Sequence, residues 1–158
     1  MTETTETAFE PDAGIGRERD ATREFIVLLE REQHALRQTD VSLLLQLAKE
    51  KSHQAQQLAQ LADARTDWLV TLDYSRDRTG MDGALQNRPA AADAWRELLQ
   101  LAETASQLNK INGILISQRL RYNQQAFSVL QAATCSAVLY GADGQPTLFS
   151  GGRRLGEG

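Results

Sequence analysis

The sequence predicts an all-α chain, an elongated antiparallel helical hairpin or three-helix, coiled-coil-like arrangement with flexible termini. Three observations carry that prediction. The 158 residues include 21 Ala, 22 Leu and 15 Gln but only 6% aromatics and three Pro. This is the vocabulary of long helices rather than of a sandwich or barrel. No Gly or Pro occurs from Arg17 through Thr79, and from Ala90 to Tyr140 only Gly113 interrupts. Finally, two long segments space their apolar residues alternately three and four apart, as a helix packed lengthwise on another helix requires.

Glycines and prolines divide the chain. Residues 1–16 are Thr- and Glu-rich with few apolar side chains and read as a disordered acidic tail. Residues 17–139 read as a single helical domain with helices at about 17–37, 40–74 and 91–135, and 140–158 as a flexible recognition tail. Thr39 and Asp40 look like a turn with an N-cap, since a side-chain oxygen there can accept a free N–H of the next helix; the alternative is one continuous helix to Asp73, because no Gly breaks it.

In the second helix the stripe runs Leu44, Leu47, Lys51, Gln54, Leu58, Leu61, Arg65, Trp68, Leu72. Ala48, Ala55, Ala62 and Leu69 flank it at every seventh residue. In the third helix it runs Leu98, Leu101, Ala105, Leu108, Asn112, Leu115, Arg119, Tyr122, Ala126, Val129, Ala133. Asn112 and Arg119 are polar intrusions in that seam, with Asn109 and Gly113 beside them. A seam Asn fixes register at some cost in stability, and an interior Gly costs about 1 kcal/mol relative to Ala.

The third helix carries more apolar surface than one partner needs. Ile116, Leu120, Phe127 and Leu130 run beside the seam, with Ile111 and Ile114 across from them. A short first helix would leave part of this stripe uncovered, as a binding site for another helix. The bland alternative is that the first helix covers it. A structural homodimer closed by the second stripe, and a helical adaptor sequestering another protein, also stay open.

Several chemistries are disfavoured. A net charge of −4 gives no electrostatic reason to seek nucleic acid or an anionic membrane. No apolar run approaches the roughly 20 residues of a membrane span, and residues 1–13 lack the apolar core of a signal peptide. The one cysteine, Cys135, fits a reducing compartment. It has no local base, and His34 and His53 have no partner at ligand spacing, so neither catalysis nor a metal is expected. No phosphate-binding glycine loop occurs, and no cofactor is expected.

The residues Glu32-Gln33, Leu36, Glu50-Lys51-Ser52, Trp95, Leu108-Asn109-x-x-Asn112-Gly113-x-Leu115 and, most specifically, Leu139-Tyr140-Gly141-Ala142-Asp143-Gly144-Gln145 carry a resemblance. From about Phe25 to Arg154 the chain resembles the FlgN family of bacterial flagellar type III export chaperones. The resemblance implies a cytoplasmic chaperone, not an enzyme, for hook–filament junction (hook-associated) proteins. It implies delivery of these clients to the flagellar export apparatus gate. Client binding would fall on the C-terminal half, where Ile116, Leu120, Phe127 and Leu130 offer the surface. Gate docking would fall on Tyr140, with Gly141 and Asp143. The acidic N-terminal extension lies outside the resemblance.

Overall fold

In the computed structural model, residues 8–122, 138–140 and 146–148 are described. Three long helices, α1 (Pro11–Gln38), α2 (Val41–Thr71) and α4 (Pro89–Tyr122), are joined by a tight turn and a short helix, α3 (Arg78–Ala84). Beyond α4, β1 (Val138–Tyr140) and β2 (Pro146–Leu148) pair antiparallel. Among the described residues no helix is long and apolar enough to cross a membrane.

α1 starts six residues before the expected boundary. Pro11 occupies the first turn and the Glu10 carboxylate accepts from the Ala13 amide at 2.9 Å. Both are standard helix-start chemistry. Phe9 lies over Gly14, where an added Cβ would meet its ring at 2.3 Å, and the ring also tilts against Trp68, centroids 5.4 Å apart. Arg88 pairs with both Glu10 and Asp12. Residues 8–16 are therefore part of the fold. The expectation of a disordered tail through residue 16 fails there because Phe9 and Ile15 have an apolar layer to enter.

The turn after α1 follows the expectation. Thr39 adopts a left-handed conformation (φ 61°) as the C-cap, and Asp40 caps α2 by accepting from the Leu43 amide. The loop expected between the second and third helices contains α3. Asp77 caps it through Gly80 N–H, and Gly80 sits so close to Ser75 that a Cβ would fall 1.8 Å from the Ser75 carbonyl oxygen.

The helices run up, down and up. α1 and α2 are antiparallel: Glu18 pairs with Arg65, and two heptads further along α1, Glu32 pairs with Lys51, two heptads back on α2. α1 and α4 are parallel, linked by Arg88 to Glu10, Arg23 to Glu97, Asn112 to Glu32 and Arg119 to Thr39. α1 has 28 residues, α2 31 and the described part of α4 34. The first helix is thus longer than the expected span of 17–37, and it runs beside the described part of α4. The predicted extent of the last helix beyond Tyr122, to residue 135, lies outside the described residues.

The interior is layered. At the base, Ile15, Leu69, Met81, Leu85, Trp95 and Leu98 cluster around the α3 end. In the middle are Phe25, Leu29, Leu58, Ala62, Ala102 and Ala105. At the top are Leu28, Leu36, Leu44, Leu47 and Ile116, near the α1–α2 turn. The Glu18–Arg65 and Glu32–Lys51 pairs sit between these apolar layers.

Candidate interaction surfaces

The buried polar groups were the first candidates for chemistry. Glu18 and Arg65 are 0% and 1% exposed at their side chains, and make a two-point fork at 2.8 and 3.2 Å. The Arg65 guanidinium also stacks 4.7 Å from the Trp95 ring centre. The Lys51 ammonium lies 3.0 and 3.2 Å from the two Glu32 oxygens, with both side chains sealed from water. Burial holds the Lys51 pKa below its ordinary 10.5, while Glu32 opposes that shift. Asn112 donates to the Leu29 carbonyl and to Glu32, each at 2.8 Å. These groups face one another rather than a cavity, so their geometry is that of register-setting layers.

Asn109 is also buried and Gly113 half-buried beside it. The Asn109, Asn112 and Gly113 element expected as a structural motif is thus one turn of α4 facing the bundle. Arg119, expected in the seam, reaches out of it to Thr39 Oγ1 at 2.5 Å and the Arg37 carbonyl at 3.4 Å.

The expected client-binding residues separate. Ile116 is 1% exposed and belongs to the top core cluster. Its assignment to an open surface is corrected, because α1 and α2 close over that flank of α4. Leu120 is partly buried against the same cluster. Phe127 and Leu130 lie outside the described residues. The open apolar positions on α4 are Ile111 and Ile114, 45% and 53% exposed. Tyr140 lies in β1, paired in register with Pro146, and β1 runs beside α4 and α2. It therefore belongs to a hairpin where a flexible tail was expected. Gly141 and Asp143 lie outside the described residues, as does Cys135. His34 and His53 are exposed, and among the described residues no three His, Cys, Asp or Glu side chains group to hold a metal.

This bundle and its trailing hairpin coincide with the span of one sequence family. The profile described as FlgN protein matches residues 10–147. The chain belongs to the FlgN family. Among relatives, it is 29% identical over 102 residues to the flagella synthesis protein FlgN of Salmonella typhimurium, covering 63% of this chain and 72% of that protein. It is 29% identical over 100 residues to the same-named protein of Escherichia coli, with the same coverages. Identity reaches 38% over 80 residues with that of Yersinia enterocolitica, covering 48% of this chain and 54% of the relative. A crystal structure of a Pseudomonas aeruginosa protein assigned as a flagella synthesis protein FlgN superposes with a TM-score of 0.62. It covers 77% of this chain and 91% of that one, at 22% identity. The three-helix fold is therefore shared, and membership of the family ties the chain to flagellar assembly.

Proposed function

We propose that this FlgN-family protein is a cytoplasmic export chaperone, without catalysis. It binds hook–filament junction proteins and delivers them to the gate of the flagellar type III export apparatus. The observation that carries this reading is the family match across residues 10–147, which takes in both the bundle and the Tyr140 hairpin. In this reading a client segment is held by the C-terminal part of the chain, with Phe127 and Leu130 supplying apolar contact and Leu120 at its edge. Tyr140, Gly141 and Asp143 form the gate-docking element. An aromatic side chain on a short strand beside a glycine has the makings of a binding hot spot. In a holding role, association alone shields an aggregation-prone segment.

The test is co-purification with hook–filament junction proteins. Phe127→Asp is expected to abolish client recovery while helicity by circular dichroism is retained. Tyr140→Ala is expected to spare the client and weaken the gate contact. Undiminished client recovery with Phe127→Asp overturns the client assignment. Loss of both contacts in Tyr140→Ala would assign that residue to the fold instead. A stable dimer whose mass is unchanged by clients would favour a structural homodimer.

A further inference from the structure

The described bundle leaves one flank of α4 open, and the charge of the chain is divided along its length. Ile111 and Ile114 are 45% and 53% exposed, while Leu108 and Leu115 beside them are only partly covered. These four fall at helical spacing on one flank. The opposite flank, Asn109, Asn112 and Ile116, faces the core. Together Leu108, Ile111, Ile114 and Leu115 make a contiguous apolar strip on α4, the kind of surface that another helix can cover.

The charges say what kind of partner fits. No Asp or Glu occurs from Thr104 to Ala142, whereas Lys110, Arg119 and Arg121 all do. Of the 21 acidic residues, 19 precede Thr104. Arg119 is engaged by Thr39. Lys110 and Arg121 are exposed and make no ion pair among the described residues. The open apolar flank is thus bordered by uncommitted positive charge on an otherwise acidic molecule.

We propose that the α4 flank of Leu108, Ile111, Ile114 and Leu115 docks an acidic amphipathic helix from a partner protein. The partner's apolar stripe would lie on the isoleucines and its carboxylates against Lys110 and Arg121. This deepens the chaperone reading by giving the client segment a chemistry and a second contact surface. Helix-in-groove docking uses anchors at i, i+3, i+4 and i+7, which Leu108, Ile111 and Leu115 match from the receptor side. Charge complementarity sets partner choice and association rate more than affinity.

The experiment uses the full chain and two synthetic 18-residue amphipathic helices with one common apolar face. One carries a Glu-rich polar face and the other a Lys-rich one. Fluorescence anisotropy at low and physiological salt should show at least tenfold tighter binding of the acidic peptide, narrowing as salt rises. Ile111→Asp and Ile114→Asp should each weaken that binding at least tenfold with helicity intact. Lys110→Glu with Arg121→Glu should reverse the preference between the peptides. Equal binding of both peptides, or acidic-peptide binding indifferent to Ile111→Asp, overturns the proposal. So does a dimer by light scattering that Ile111→Asp dissolves, since a second copy then covers the flank. Client co-purification run beside it separates the two readings. Clients retained at full strength by Ile111→Asp would remove this surface and leave the chaperone assignment standing.

Discussion

Glu32 of α1 and Lys51 of α2 meet at 3.0 Å with neither side chain open to water, and Asn112 of α4 donates to the same carboxylate at 2.8 Å. One carboxylate thus joins all three long helices at a single level. Slipping α1 or α2 by a turn would strand a buried charge, and slipping α4 would take the Asn112 amide from its buried acceptors, so this layer selects one register.

Glu32→Leu is expected to destabilise the fold by about 3–5 kcal/mol, because it leaves the Lys51 ammonium buried without a counter-charge. The Glu32→Leu, Lys51→Met double variant is expected to recover most of that loss. Chemical denaturation of the two single variants and the double gives the coupling energy. If the double variant is no better than the single, the pair does not act as a unit.

Arg65→Lys is expected to be damaging despite the retained charge. A lysine cannot form the two-point fork with Glu18, and it loses the guanidinium stack on Trp95. The expected loss is on the order of 1–3 kcal/mol, with a change in tryptophan emission as Trp95 loses its stacked cation.

Two glycines should respond oppositely to alanine. A Cβ at Gly80 would meet the Ser75 carbonyl oxygen at 1.8 Å, whereas at Gly16, inside α1, nothing lies within 4 Å. Gly80→Ala should lower the melting temperature. Gly16→Ala should raise stability by roughly 0.5–1 kcal/mol, by removing glycine from a helix interior. Thermal unfolding of the two variants side by side reads the difference.

The N-terminal turn of α1 should loosen in acid. The Ala13 amide, foremost, holds the Glu10 carboxyl below its ordinary 4.5. A carboxyl depressed in the folded state stabilises above its unfolded value, and that contribution is lost as pH falls through the folded one. The Ala13 amide resonance should therefore shift on acidification below pH 4.5, and Glu10→Gln should suppress that shift.

Much of this architecture could be read from the residues, and its failures have definite causes. The existence of three long helices and the Thr39–Asp40 turn are local properties, and both are found in the described residues, although α1 starts earlier than expected. In the α4 seam the expected Leu98, Ala105 and Asn112 are buried, but they are joined by Ala102, Asn109 and Ile116 in place of the expected Leu101, Leu108 and Leu115, which are only partly covered. α1 lies against α4 and shifts the buried arc, and a two-helix pattern does not contain that third neighbour. On α2 the expected Leu44, Leu47, Lys51, Leu58 and Arg65 are buried together with the flanking Ala48, Ala55, Ala62 and Leu69, while Leu72 at the end of the stripe is exposed. Glu18 and Glu32 were missed because an acidic residue on a helix reads as solvated. The available signal was their place in the heptad of Ile15, Thr22, Phe25, Leu29 and Leu36, matched by Arg65 and Lys51 at the same spacing on α2. Ile116 reads as outward from its place beside the expected seam, but the last turns of α1 (Leu28, Ala35, Leu36) and the first of α2 (Leu44, Leu47) close over it.

The most direct measurement is a calorimetric titration of the purified chain with the C-terminal segment of a hook–filament junction protein, at several temperatures. Saturable binding with a negative heat-capacity change, as burial of apolar surface requires, and its loss in Phe127→Asp are the predicted results. A segment that gives no saturable heat, or that binds the Phe127→Asp chain equally well, would contradict the account.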